Sequence, residues 1–290
     1  MKRFIQAITF YALLPWLYLI AILPFRLIYA ISDVLYYIVY PLYRRKVVRK
    51  NLTHAFPGKS NRELKTLEQS FYKHFCDLLV EYIKSLTITP SQIARRCTIQ
   101  NVALLETLYM QGRHILLVTG HHGNWEWAAN AIALQTSYQM GVIYKPLSNP
   151  YFDRLIKKIR QRFGKFTIHE KRVLRTMLQY NSMPKATAFL ADQAPDPRHA
   201  YVIRFLNQLT YVTAGVEKLA TKLNQAVIYV HIREIKRGYY TIEPELLVDD
   251  PATMPAHRII ELYIQKLEAD IRQQPATWLW SHNRWKDWVK

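Results

Sequence analysis

The chain has 290 residues, half of them hydrophobic, which excludes a disordered chain and is enough for one large α/β domain or two small ones. Forty lysines and arginines against 21 acids give a formal charge of +19, implying acidic partners: nucleic acid, anionic lipid headgroups or an acidic carrier protein. Two cysteines, Cys76 and Cys97, without C-x-x-C spacing, suggest neither a disulfide framework nor a thiolate metal site and read as small apolar fillers in a reducing compartment.

The first predicted element, FIQAITFYALLPWLYLIAILPF from Phe4 to Phe25, is about the length of a bilayer-spanning helix, with Pro15 placed to kink it. Lys2 and Arg3 resemble the start of a cleavable signal peptide, but the apolar run is too long and no A-x-A-like site follows, so a retained anchor is expected. A second run, LIYAISDVLYYIVYPLY, is shorter and carries Asp33, which predicts an interfacial or partly buried helix. The basic cluster Arg44, Arg45, Lys46, Arg49 and Lys50 then outweighs Lys2 and Arg3, so the positive-inside rule puts the remainder in the cytoplasm. Many of the 20 tyrosines and 7 tryptophans lie near the termini, as a membrane-interface belt would require, which tilts the charge toward lipid. A nucleic-acid-binding protein would share the charge, but it predicts no apolar N-terminus. Residues 1–43 are therefore expected to be membrane-anchoring or interfacial helices and 44–290 one catalytic domain.

Up to about Ser85 the chain reads as helix, with apolar positions at Leu67, Phe71, Phe75, Leu78, Leu79, Tyr82 and Ile83 expected to pack on a later sheet. From Ile99 onward, short β-branched runs alternate with helical stretches: HILLVTG, MGVIYKP, GKFTIHE, KATAFLADQ, YVIRFL, AVIYVHIREI and GYYTIEPE. That alternation predicts an α/β fold with a mixed, largely parallel central sheet flanked by helices. No internal repeat, low-complexity tract or linker is present.

The stretch HILLVTGHHGNWEWAANAIAL carries the most chemistry. ILLVTG predicts a buried strand and NWEWAANAIAL a helix, so His121, His122 and Gly123 form the joining turn and Asn124 the helix N-cap. Open α/β sheets bind ligands at such a strand end. His121 and Glu126 would stand about 140° apart on one continuous helix, so they meet only if His121 lies in the turn. Glu126 would then hold one imidazole nitrogen and leave the other free as a general base. No G-x-S-x-G context supplies a nucleophile, so the nucleophile is expected to come from the substrate. The alternatives are an ordinary His122–Glu126 helix pair and a metal site, the latter lacking a third ligand at a standard spacing. The two tryptophans read first as packing residues.

HHGNWE, a histidine followed after four residues by an acid, resembles the signature of the lysophospholipid acyltransferase superfamily, and in particular the late acyltransferases of lipid A biosynthesis. The resemblance continues through YRRKVVRKNLTHAFP, YKPLSNPYFDRLIKKIRQRFG, FLADQ, FLNQLTYVTAGVEKLA and the closing PATWLWSHNRWK, and so runs along most of the chain. It implies a glycerolipid acyltransferase-like fold and transfer of an acyl chain from an acyl carrier protein or coenzyme A thioester to a hydroxyl of a lipid A precursor. It also implies an inner-membrane location with the catalytic domain on the cytoplasmic side. His121 would be the base, Glu126 its orienting partner, and Asp192, in the D-Q element with Gln193, a further acid needed for activity. A turn-capping role is the alternative for Asp192.

Arg160 and Arg162 match a basic block that would hold a phosphate or the donor, the alternative being one exposed face of a basic helix. Gly164 fits that block's closing turn. Asn124, Gln193 and Gly215 are further expected substrate contacts, with Thr213 and Gly215 opening a helix N-terminus able to receive an anion. Glu217 departs from the family's small apolar residue, as His122 departs from its small or aromatic one. Trp278, Trp280, His282, Arg284 and Trp285 line the acceptor side, meet the membrane or pack on the sheet, and Lys286 and Lys290 extend a basic surface. No motif implies a metal or a bound organic cofactor; the thioester is a co-substrate. The runner-up reading is a relative acting on another lipid, such as a lysophospholipid, a glycosylated phospholipid or an aminoacyl lipid.

Overall fold

A computed structural model describes residues 2–180 and 183–285; Lys286 and Lys290 lie outside the described residues. The chain opens with α1 (Lys2–Ile22), α2 (Phe25–Leu42), α3 (Arg45–Ala55), α4 (Asn61–Lys84) and α5 (Pro90–Arg96). Strands and helices then alternate: β1 (Cys97–Ile99), α6 (Val102–Met110), β2 (Ile115–Thr119), α7 (Trp125–Gln135), β3 (Gln139–Tyr144), α8 (Pro150–Arg160), β4 (Phe166–His169), α9 (Val173–Met177) and β5 (Lys185–Leu190). The last part comprises β6 (Ala200–Phe205), β7 (Gln208–Thr213), α10 (Gly215–Leu223), β8 (Ala226–Lys236), β9 (Tyr239–Val248) and α11 (Arg258–Gln273).

Among the described residues the central sheet has seven strands in the order β1-β9-β8-β2-β5-β3-β4, every neighbouring pair parallel except the β8–β9 hairpin. This is the largely parallel α/β sheet predicted by the alternating runs, covered on both faces. One face carries α3, α4, α10 and α11 around Phe71, Tyr229, Tyr263 and Trp278; the other carries α5, α6 and α7 around Trp127, Ile115 and Ile228. Cys76 and Cys97 are buried, unpaired apolar fillers.

YVIRFL forms a strand outside this sheet: β6 pairs antiparallel with β7 in a separate hairpin. Its turn residues Leu206 and Asn207 have φ of 47° and 65°. Two positive φ values suit a tight hairpin but lack the usual Asn-Gly signature, so the sequence did not announce β7.

Both α1 and α2 are long and apolar enough to cross a membrane, and only 11% of each apolar window is buried. Pro15 stays inside α1 without ending it. Phe10 of α1 packs on Tyr151 and Phe152 of α8, at ring distances of 5.7 and 5.1 Å, while most of the helix keeps large apolar side chains exposed. Helix α2 docks along α4, and its Asp33 forms an ion pair with Arg237 from the β8–β9 turn at 2.6 Å.

Helix α4 starts at a capping box, Ser60 with Glu63. Of the apolar positions expected to bury its face, Phe71 is buried, but Leu78 and Tyr82 are half-buried and Leu79 is exposed. The buried stripe also contains Glu68, Asp77, Glu81 and Lys84, because polar and charged groups on α1, α2, α3, β9, the β8–β9 turn and the cap of α7 supply partners for them. Arg45 and Arg49 clamp Glu68, at 2.7 and 2.6 Å. Ser32 and Arg237 hold Asp77, and Lys84 donates to the carbonyls of Ala21 and Leu23 at the end of α1. The Glu81 carboxylate accepts from Tyr29 of α2 (2.6 Å), Asn124 (2.6 Å) and Tyr240 of β9 (2.8 Å).

Burial outweighs these hydrogen bonds and pushes the Glu81 carboxyl up from 4.5 to about 7. A raised folded value means that the group's contribution to stability is complete below the ordinary value and is lost as pH rises through about 7. The Tm should therefore carry a fall between the ordinary value of 4.5 and about pH 7 that is flattened in Glu81→Gln. Glu81→Leu, which leaves three buried donors without an acceptor, should destabilise by about 3 kcal/mol or more at any pH, read by thermal or denaturant melts.

Candidate active site

The site is built by two adjacent parallel strands. Thr119 of β2 stands opposite Leu190 of β5, and two residues past the end of each strand come His121 and Asp192. Equal offsets from a shared register bring the two side chains together: His121 Nδ1 lies 2.6 Å from Asp192 Oδ1. The His121 amide donates to Asp192 Oδ2 at 2.8 Å, and the Trp278 indole donates to the same oxygen at 2.8 Å. Gly120 permits this approach, since a Cβ there would lie 2.6 Å from Leu267 Cδ1 and 3.1 Å from Asp192 Oδ2.

Asp192 is 3% exposed. Burial alone would raise its carboxyl, but the His121 charge, the two bonds from His121 and the Trp278 indole outweigh it and hold the group well below the usual carboxylate range. An ionised Asp192 accepts a hydrogen bond from Nδ1–H of His121, which leaves Nε2 of the neutral ring as the acceptor nitrogen. The Gln193 amide nitrogen lies 3.4 Å from that Nε2, and Trp125 meets the imidazole edge-to-face at 4.9 Å.

The acid behind the imidazole is thus Asp192, which corrects the expectation that Glu126 orients His121. Glu126 sits in the first turn of α7, and its Oε1 accepts from Nη2 and Nε of Arg160 on α8, at 2.7 and 3.2 Å. A guanidinium facing it across the site holds this carboxylate, while Nδ1 of His121 is already engaged from β5. Arg160 therefore lines the site as half of an ion pair. Arg162 does not join it: its guanidinium donates to the carbonyls of Ser85 and Ile88, closing the end of α4. Phe163 and Gly164 follow with φ of 63° and 77°, the turn expected at Gly164. Next to it, burial pushes the Lys165 ammonium, hydrogen-bonded to Asn130, down to about 8.

Other expected site residues have structural duties. Asn124 caps α7, accepting from the Trp127 amide at 2.8 Å while donating to Glu81. Gly215 begins α10, its amide bonded to Thr213 Oγ1 at 3.2 Å, and neither residue reaches the cavities at His121. Glu217 accepts from the amides of His257, Ile259 and Ile260 and so caps α11. His122 is buried behind the turn against Thr277 (2.9 Å), and its ring is kept neutral by desolvation. The closing segment crosses the turn: the Leu279 amide donates to the His121 carbonyl and the Gly123 amide to that of Thr277, both at 3.0 Å. Trp278, Trp280 and Trp285 pack together, His282 accepts from the Ala194 amide at 3.3 Å, and Arg284 is buried beside them.

Two cavities meet at His121. One, of about 520 Å³, runs between the sheet and α7 and is lined by Leu117, Ala128, Ile132, Met140, Val142 and Ile232. The other, of about 370 Å³, opens toward the α2–α3 junction between Tyr43, Arg44, Leu79 and His282. His121, Trp125, Glu126, Arg160 and Tyr82 border both. Tyr82 had no signal in the sequence beyond its helical period. Among the described residues no group of three or more His, Cys, Asp or Glu is arranged to hold a metal ion. An imidazole backed by a carboxylate, with Nε2 facing the junction of two cavities beside the Gln193 amide, suits removal of a proton from a hydroxyl.

Asp192→Asn keeps the shape but loses the carboxylate that fixes the tautomer, and should lower turnover at least about 100-fold while KM values hold, measured by steady-state kinetics. Glu126→Gln and Arg160→Gln should be strongly non-additive, the double variant losing little beyond either single one, if their function runs through the ion pair.

No curated protein matches the chain. The profile described as bacterial lipid A biosynthesis acyltransferase matches residues 2–287, nearly the whole length, with the motif at His121, the strand end at Asp192 and the closing segment all inside it. The chain belongs to the bacterial lipid A biosynthesis acyltransferase family, and with it to the acyltransferases that act on lipid A.

Proposed function

We propose that this protein transfers a fatty acyl chain from an acyl thioester to a hydroxyl of a lipid A precursor, with His121 as general base and Asp192 as the residue that orients and charges it. The observation that carries this reading is Nε2 of His121 at the junction of the two cavities, beside the Gln193 amide and with Asp192 fixed behind the ring. The acceptor hydroxyl gives its proton to Nε2 as its oxygen bonds to the thioester carbonyl carbon. Collapse of the tetrahedral intermediate breaks the C–S bond, and the departing thiolate recovers the proton from the imidazolium. The nucleophile belongs to the substrate, so no acyl-enzyme forms.

The apolar cavity between β2, β3 and α7 receives the acyl chain. The Gln193 amide, beside Nε2, donates to the developing oxyanion, a contribution of roughly 100- to 1,000-fold in such sites. Glu126 and Arg160 hold the wall where the cavities meet. The donor is an acyl carrier protein or coenzyme A thioester, both anionic and both favoured by the chain's +19 charge. Residues 1–43 attach the enzyme to the inner membrane and residues 44–290 form the catalytic domain on its cytoplasmic side.

The test is acyl transfer by detergent-solubilised protein from labelled acyl carrier protein and coenzyme A thioesters, to a tetra-acylated phosphoglycolipid and, separately, to a lysophospholipid. Label on the glycolipid with wild type, reduced at least about 100-fold in His121→Ala and Asp192→Asn, is the expected result. Label on the lysophospholipid alone would move the acceptor class, and undiminished transfer by His121→Ala would remove His121 as the base.

A further inference from the structure

Direct transfer requires two substrates at His121 at once, and the molecule offers two ways in. The cavity along α7 is apolar through most of its depth. The other differs in lining and in outlook: it lies between the turn after α2, the C-terminal part of α4 and the closing segment, and its lining includes Arg44 and His282. It opens beside the bilayer-compatible face of α2, where Val34, Tyr37, Ile38 and Leu42 are 55–79% exposed. Its floor is firm, since Tyr43 stacks on Phe75 with ring centroids 5.4 Å apart and planes 8° from parallel.

The cations around it are not equivalent. Arg45 and Arg49 from the same basic cluster are committed to the buried Glu68. Arg160 is paired with Glu126, and His282 accepts from the Ala194 amide. Arg44 is different: it is exposed, and among the described residues its one hydrogen bond runs from Nη1 to the Ser281 carbonyl at 3.2 Å. Its Nε and Nη2 remain as donors at the mouth, a planar fork that matches two oxygens of a phosphate. Its backbone is also held at φ 48°, ψ 26°, a left-handed conformation that a residue with a Cβ resists. The turn from α2 into α3 would form more easily with glycine, and the arginine there aims its side chain across the cavity to Ser281.

We infer that the cavity between the α2–α3 turn and the closing segment seats the acceptor lipid, with Arg44 as the ligand of a phosphate on its headgroup. The inference rests on the acyltransferase reading and deepens it. A lipid in the adjoining leaflet would enter along the exposed face of α2, place its phosphate on Arg44 and present its hydroxyl to Nε2 of His121 from the side opposite the acyl chain.

The experiment measures acyl transfer by full-length protein in detergent micelles to a tetra-acylated phosphoglycolipid and to its phosphatase-treated counterpart. Wild type is compared with Arg44→Gln and Arg44→Gly. The glycine variant suits the left-handed backbone, so an unchanged or higher Tm shows that any loss is not unfolding. The expected result is a KM for the phosphorylated acceptor raised about tenfold in both variants, with the KM for the donor unchanged and with wild type and variants equal on the phosphatase-treated acceptor. A raised donor KM would overturn the assignment and give Arg44 to the donor's phosphates. Equal effects on the two acceptors would also overturn it, leaving Arg44 as a structural link to Ser281. Failure of wild type to transfer to either acceptor would instead count against the acyltransferase reading itself.

Discussion

The structure depends on one buried carboxylate. Asp192 accepts from the His121 ring, the His121 amide and the Trp278 indole, three donors from two segments far apart in sequence. A carboxylate can take all three where a neutral acid or an amide cannot, and each bond is stronger for the missing water. The same contact sets the imidazole tautomer, fixes the turn after β2 and ties down the closing segment. The acid is thus a structural keystone and the residue best placed to set the chemistry of His121. It draws both positions from one property, a buried charge that the surrounding donors keep ionised.

A second set of buried charges runs along α4. Glu68, Asp77, Glu81 and Lys84 each face a helix or turn that the sequence places elsewhere: α3, α2 with the β8–β9 turn, α7 with β9, and the end of α1. Removing one partner from such a group leaves a buried charge exposed to apolar surroundings, so the arrangement fixes positions more than it adds net stability. Glu81 is the most informative of them. Through Tyr29 and Asn124 it connects a helix long and apolar enough for a membrane with the cap of the helix that carries Trp125 and Glu126.

This network also changes what the net charge means. Arg45, Arg49, Arg162 and Arg237 all contribute to +19, yet each is engaged by carboxylates or carbonyls inside the fold. The cations left at the surface, among them Arg44 and Lys46 after α2, Arg62 and Lys65 on α4, Arg154 and Lys158 on α8 and Lys218 and Lys222 on α10, are the ones that set the field outside the molecule. The net charge alone therefore overstates the free positive surface, because the ion pairs remove several of its cations from it.

The sequence by itself determined the class of fold, most of the strand runs, the turn holding His121, the two apolar N-terminal helices and the family resemblance, because each is written in local periodicity or in an ordered series of short motifs. Asp192 was legible as an important acid in the FLADQ element, and Gln193 beside it. Which acid stands behind the imidazole was not. Glu126 is five residues from His121 and Asp192 is 71 away, and only the insertion of β5 beside β2, in a register setting Thr119 against Leu190, puts the distant acid in hydrogen-bond range. The fates of Arg162, Asn124 and Glu217 were closed to the sequence for the same reason: a side chain's partner depends on which backbone ends or opposite charges the packing brings to it. Local pattern sets the elements and the residue types at their ends; pairing of charges across elements is decided by tertiary structure, since a buried charge must find its counterpart wherever the fold supplies one.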